Sequence, residues 1–215
     1  MIDLHTHSLF SDGELIPSEL ARRAMVMGYE AIAITDHGDF SNIEFIIPRI
    51  VDVSKELARF WKIKIIPGIE LTHIPPESVK DLARKSRKLG AKIVVVHGET
   101  LVEPVQEGTN LAAINSDIDI LAHPGLITEE EVLLAKERGI FLEITTRRGH
   151  SLGNGNVAKL ATKTGAPVVL NTDSHSPSDL IKKDFAGRVL LASGVPENQI
   201  EKVFENSRKL IKKVS

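Results

Sequence analysis

The 215-residue sequence contains no cysteine. Disulfides, thiol nucleophiles, zinc fingers and cysteine-ligated iron–sulfur clusters are therefore excluded, and any bound metal must rest on histidine, aspartate and glutamate. Aromatic residues are scarce: one tryptophan, one tyrosine and seven phenylalanines. That is thin material for a groove that stacks single-stranded nucleic acid. Neither sign of charge dominates, since Lys plus Arg number 27 against 29 Asp plus Glu, for a formal net charge of -2. No long-range field draws such a chain toward DNA or an anionic membrane, although a local positive site is compatible with the balance. No apolar run approaches the ~18 residues of a membrane-spanning helix. The opening Met1-Ile2-Asp3-Leu4-His5 lacks the basic and apolar regions of a secretory signal. With a hydrophobic fraction of 42% and a charged fraction of 26%, the composition is that of a globular chain, and a soluble, cytoplasmic protein with no membrane partner is expected. The sequence carries no indication of oligomeric state.

Short Ile- and Val-rich runs alternate with stretches of helical periodicity along the whole length, the pattern of a parallel α/β fold. The runs are Ile2 to His5, Ala31 to Thr35, Lys64 to Glu70, Lys92 to His97, Asp119 to His123, Ile140 to Thr145 and Val168 to Asp173. Helices are expected over Pro17 to Gly28, Ile43 to Trp61, Ser78 to Leu89, Glu129 to Arg138, Asn156 to Thr164 and Pro196 to Lys213, with a short one at Thr109 to Asn115. Proline at the first turn and glycine just past the end frame the first of them. No repeat, linker or composition break divides the chain, so residues 1–215 read as one domain. An open sheet gathers its ligand groups at one switch point, whereas a closed barrel brings every strand's C-terminal end to one mouth. Polar, reactive side chains end nearly every run here, which favours the barrel.

Those side chains are the distinctive feature. Of eight histidines, His5, His7, His37, His97, His123 and His175 stand at or just beyond strand ends. In His5-Thr6-His7 a strand period of two turns both imidazoles to one side, and Asp173-Ser174-His175 repeats that arrangement. A single histidine beside a strand is ordinarily a hydrogen-bonded structural residue. The set, with Glu70 available as a bridging carboxylate, points to metal-site chemistry. Asp12 lies in Ser11-Asp12-Gly13, which is equally a good turn sequence. Asp36 should point away from His37 and serve in support or helix capping.

Asp3-Leu4-His5-Thr6-His7-Ser8 with Ser11-Asp12-Gly13, Ile34-Thr35-Asp36-His37, Pro67-Gly68-Ile69-Glu70, Ala122-His123-Pro124 and Thr172-Asp173-Ser174-His175 resemble the PHP family, the polymerase and histidinol phosphatase superfamily. The resemblance spans residue 1 to about 175, with the motifs in the family's order. It implies a distorted (β/α)7 barrel with a trinuclear metal centre at the C-terminal mouth. It further implies that His5, His7, Glu70 and Asp173 surround one divalent ion, that Glu70 bridges to a second held by His97 and His123, and that Asp12, His37 and His175 hold a third. Asp12 follows the branch of the family in which aspartate replaces histidine. Nitrogen and oxygen donors together admit zinc, manganese or iron.

The activity so implied is metal-dependent hydrolysis of a small phosphomonoester by metal-activated water, with histidinol phosphate as one candidate and no protein nucleophile. Three divalent cations against three carboxylates leave a positive pocket that suits a phosphate group. Arg147, Arg148 and His150, after the sixth run, are candidate substrate-binding residues because guanidinium pairs its donors with phosphate. His73 is expected to be structural. Ser151 to Asn156 reads as a flexible turn that lacks the Walker pattern, and the basic Arg208 to Lys213 as the solvated end of a helix. A phosphodiesterase or exonuclease acting on nucleotides or nucleic acid, and a noncatalytic metal-binding module, are the competing readings.

Overall fold

The computed structural model describes residues 1–214. Its strands are β1 (Ile2–Asp3), β2 (Ala31–Ile34), β3 (His37–Gly38), β4 (Lys64–Leu71), β5 (Ile93–His97), β6 (Ile120–Ala122), β7 (Phe141–Thr145) and β8 (Val168–Asn171). The helices are α1 (Pro17–Val26), α2 (Ile43–Ala58), α3 (Pro76–Leu89), α4 (Thr109–Ile114), α5 (Glu129–Arg138), α6 (Asn154–Thr164), α7 (Lys183–Ala192) and α8 (Ile200–Val214). All ladders are parallel. Both β2 and β3 pair with β4, opposite Lys64 to Pro67 and opposite Glu70 to Leu71 respectively. They are one stave interrupted at Thr35 and Asp36, so the eight strands make a barrel of seven staves, β1-β2/β3-β4-β5-β6-β7-β8.

The barrel is nearly closed, and its seam lies between β1 and β8. At the mouth the backbone still pairs: Asp173 N donates to His5 O at 3.0 Å and His7 N to Ser174 O at 2.8 Å. Below that, side chains take over. Asn171 Oδ1 accepts from Leu4 N at 2.9 Å, and the Asp3 carboxylate accepts from Thr172 N at 3.2 Å and Thr172 Oγ1 at 2.6 Å. Buried amides at an imperfect seam need such partners, since an unpaired one costs about 1–3 kcal/mol.

Strand alternation separates two cores. Ala31, Ala33, Ile66, Ile93, Val95, Ile120, Ala122 and Val169 form the inner cluster, reached by Leu210 of α8. Ile32, Ile34, Ile69, Val94, Val96, Leu121, Leu142 and Leu170 point outward into a larger cluster with the helices. Continuing the inward parity toward the mouth brings Glu70, His97 and Glu143 onto the interior face, where all three are buried. The barrel's own period thus converts an apolar floor into a polar mouth.

The structure adds α7, which opens without a capping signal in the sequence, and makes Ser151 to Asn156 helical rather than a flexible turn: residues 150–153 form a 3-10 turn that runs into α6. Asn154 is the reason, because its buried amide clamps the end of β7 through Thr145 N at 3.1 Å and Thr145 O at 2.8 Å. At the turn after β6, Gly125 has φ 58°, and an added Cβ would meet the Glu99 carbonyl oxygen. Gly139 also has positive φ, 69°, but open space around it. Gly125→Ala is therefore expected to destabilise the fold by about 1–3 kcal/mol more than Gly139→Ala, as read from urea unfolding of the two variants. Equal losses would show that the close approach at Gly125 carries no energetic weight.

Candidate metal centre

Each side chain of the mouth is aimed by a local device. His5 and His7 follow β1, and the loop after them folds back so closely that a Cβ on Gly13 would collide with the His7 carbonyl. Asp36 fixes that loop: its carboxylate accepts from Ser8 N at 2.7 Å, Ser8 Oγ at 2.7 Å and Ser11 Oγ at 2.8 Å. Support rather than helix capping is thus its role. Asp12 is consequently held with Oδ1 at 3.4 Å from His37 Nε2 and 3.2 Å from His175 Nε2. His123 and Asp173 reach the mouth from left-handed backbone, φ 28° and 52°, a conformation costly outside glycine and concentrated at functional sites.

Glu70 lies at the hub. Its Oε1 is 3.2 Å from His5 Nε2 and 3.8 Å from His123 Nε2, and its Oε2 is 2.6 Å from His37 Nδ1 and 3.8 Å from His7 Nε2. Asp173 faces the same space, with Oδ1 3.1 Å from His7 Nε2 and Oδ2 3.6 Å from His123 Nε2. Ligand atoms of His5, His7 and Glu70, of His5, His123 and Asp173, of His7, Asp12, His37 and His175, and of His97, His123 and His150 each lie within 4.8 Å of one another. The nine side chains singled out by sequence therefore meet at one mouth.

This donor set fits divalent cations. His5 Nε2, both ring nitrogens of His7 and of His123, Glu70 Oε1 and Asp173 Oδ1 are buried without a hydrogen-bond partner. Buried polar atoms are ordinarily paired, and so many convergent exceptions mark positions where a cation supplies the missing interaction. Mixed imidazole and carboxylate donors suit zinc, manganese or iron.

Residues 3–149 match the PHP domain family model. This chain belongs to the PHP domain family. Among relatives, an uncharacterized protein of Methanocaldococcus jannaschii is 51% identical over 215 residues and 99% of each chain. A probable phosphatase of Caldanaerobacter subterraneus subsp. tengcongensis is 31% identical over 93% of this chain and 86% of its own. Among solved structures, a chain of archaeal ribonuclease P, determined with mature tRNA, superposes with TM-score 0.76 at 21% identity, covering 100% of this chain and 91% of that one. Histidinol phosphate phosphatase of Lactococcus lactis, complexed with zinc, L-histidinol and phosphate, gives 0.58 at 19% identity, covering 100% and 93%. At these identities the two structures establish the shared fold.

The PHP domain's charges are tightly interdependent. Burial pushes the His5 imidazole down, but Glu143, Glu70 and Asp173 outweigh it and the net shift is upward. Burial likewise opposes protonation of His37, yet Glu70 and Asp12 raise it to about 9. Burial lifts the Asp173 carboxyl to about 7, while burial with neighbouring His37 keeps His7 well below its ordinary value. Near pH 7 the ion-free mouth thus holds protons in place of metal charge.

Two contributors were not identified from sequence. Glu143, inside β7, accepts from His5 Nδ1 at 2.9 Å and Asn171 Nδ2 at 2.8 Å, which leaves His5 Nε2 as the outward donor. Inward parity on β7 was the available signal. Glu103, on the irregular segment before α4, meets His73, His97 and His150. Of the three candidate substrate-binding residues, Arg147 pairs with Asp179 at 3.5 Å, and Arg148 is exposed with no ion pair among the described residues. His150 is buried, its ring stacked on His123 at 4.2 Å. No helix of the described residues is long and apolar enough to cross a membrane.

Cations entering this mouth must displace protons from His5, His37 and Asp173. Zinc titration of ion-free protein in buffers of different ionisation enthalpy is expected to release more than one proton per chain near pH 7. Affinity should strengthen as pH rises toward about 9, where His37 loses its proton. Affinity independent of pH would contradict the assignment.

Proposed function

We propose that this PHP domain is a metal-dependent phosphoesterase that hydrolyses small phosphomonoesters. The observation that carries the reading is the convergence of nine imidazole and carboxylate side chains at the barrel mouth, with buried, unpartnered ligand atoms on His5, His7, Glu70, His123 and Asp173. The probable phosphatase among its relatives supports it, and a histidinol phosphate phosphatase sharing the fold was solved with zinc and phosphate. His5, His7, Glu70 and Asp173 would hold one ion, Glu70 with His97 and His123 a second, and Asp12, His37 and His175 a third. When bound, such ions supply positive charge that lowers the pKa of water and stabilises charge developing on a phosphoryl group.

The chain's own residues define the rest. The Ser8 and Ser11 hydroxyls serve the Asp36 support of their loop, and in this reading a water would attack phosphorus while the departing alcohol takes up a proton. Glu143 holds the His5 ring by its Nδ1 and so keeps Nε2 directed into the pocket. Arg148, exposed and unpaired, is the guanidinium available to a phosphate oxygen, whereas Arg147 is anchored to Asp179, which also accepts from His175 N at 3.0 Å. His150 has Nε2 3.3 Å from Glu103 and Nδ1 2.7 Å from Thr100, so both ring nitrogens are engaged within the protein.

The mouth also bears on substrate size. Beside the third cluster lies a cleft of ≈ 330 Å³ lined by Asp12, His37, Asp39, Asn42, His73 and Glu103. Its volume suits a small ligand, and Asp39, the lining carboxylate that the ligand assignments leave uncompensated, disfavours a polyanion tracking along the rim. This favours a compact monoester over a polynucleotide, although the ribonuclease P chain shares the fold.

The test is a broad phosphomonoester panel with metal-loaded protein, run beside oligonucleotides. Turnover of a small monoester is expected, with Asp173→Asn lowering it by at least about 100-fold. Arg148→Ala should lower kcat/KM by about 10-fold, as expected for one charged hydrogen bond, with metal content unchanged. No monoester turnover, or faster release of nucleotides from oligonucleotides, would overturn the proposal. Unchanged turnover in folded Asp173→Asn would show that the activity does not depend on this centre.

A further inference from the structure

We infer that Glu103 and His150 are further ligands of the second ion position, giving it, with His97 and His123, three imidazoles and one loop carboxylate beside the bridging Glu70. This rests on the metal-centre reading above and extends it to two residues outside the nine-residue set.

The argument is geometric. His97 Nδ1 is engaged by the Gly98 carbonyl at 3.1 Å and His150 Nδ1 by Thr100 Oγ1 at 2.7 Å. Each ring is thereby oriented by its inner nitrogen, the arrangement by which metal-binding histidines are held. The Nε2 atoms left over converge: Glu103 Oε2 lies 3.1 Å from His97 Nε2, and Glu103 Oε1 lies 3.3 Å from His150 Nε2. His123 closes the group. Its ring stacks on His150 at 4.2 Å and meets His97 edge-on at 4.4 Å. Both its nitrogens are buried and unpartnered. A fully buried imidazole with no hydrogen bond, placed beside two others whose free nitrogens already face a carboxylate, is better explained by a shared cation than by packing.

The four donors differ in freedom. His97 ends β5, and His123 and His150 are buried. Glu103 stands on the irregular segment between β5 and α4, with its side chain 38% exposed, and its side chain pairs with imidazoles, His73 being the third at 3.1 Å. A zinc-type position filled by four protein donors is closed, and one that performs chemistry keeps a place open. Glu103 is the donor that can withdraw. Glu103 would thus close the second position around an ion and, on withdrawing, would leave a place for a substrate oxygen.

The experiment is metal retention by ion-free full-length protein, titrated with Zn2+ or Co2+ against a competing chelator, for wild type, Glu103→Gln, His150→Gln and the exposed same-loop control Glu107→Gln. Thermal unfolding of the ion-free proteins checks that all are folded. Wild type and the control are expected to retain the same number of ions. Each ligand variant should bind one equivalent at least about 10-fold more weakly, and the visible Co2+ bands of that equivalent should change. Stoichiometry, affinity and spectrum equal to wild type in both folded variants would overturn the inference and leave the other ligands standing. Failure of wild type to retain any ion would overturn the metal-centre reading itself.

Discussion

A carboxylate with no solvent exposure can remain charged only if its surroundings supply the compensation that water has been denied. Glu70 is such a group, and the mouth is organised around it. Protonated His5 and His37 draw its pKa well down against the opposing effect of burial, and the same oxygens lie within reach of His7 and His123. Without ions the arrangement holds by sharing protons. With ions bound, the imidazoles would become neutral donors and the carboxylate would remain the point they share. Compensation by cation or by proton is the constraint from which the pocket's chemistry follows.

Fold and site share residues at the seam. β1 and β8 touch too briefly to close the barrel by backbone alone, and Asp3, Asn171 and Thr172 supply the missing hydrogen bonds by side chain. Asn171 in turn donates to Glu143, which holds His5. Closure of the barrel and orientation of the first imidazole are therefore one network. The left-handed backbone at His123 and Asp173 is sustained by that same surrounding structure, since isolated residues would relax from it.

The mouth is asymmetric. Asp12, Asp39 and Glu103 line a cleft at the mouth, while of the two arginines that follow β7 Arg147 is paired with Asp179 and Arg148 is exposed.

Much of this was legible in the sequence, and the rest was hidden for identifiable reasons. The α5 helix has the bounds expected because Thr128 and Glu131 form a reciprocal cap and Gly139 ends it in left-handed backbone. The α7 helix escaped notice because Lys182 offers no capping side chain. Beyond the expected second strand a short β3 resumes at His37, because Asp36 turns aside to hold Ser8 and Ser11. Sequence alone determined the parallel barrel and the strand-end histidines, since period-two strands with polar ends fix which side chains share a face and an end, while the resemblance to the PHP family added Asp12, which lies in a turn outside any strand. Tertiary structure alone decided the roles of Glu143, Glu103 and His150. Their partners lie across the barrel or on a loop without periodicity, and no local pattern records which distant atoms a folded chain brings within hydrogen-bond reach.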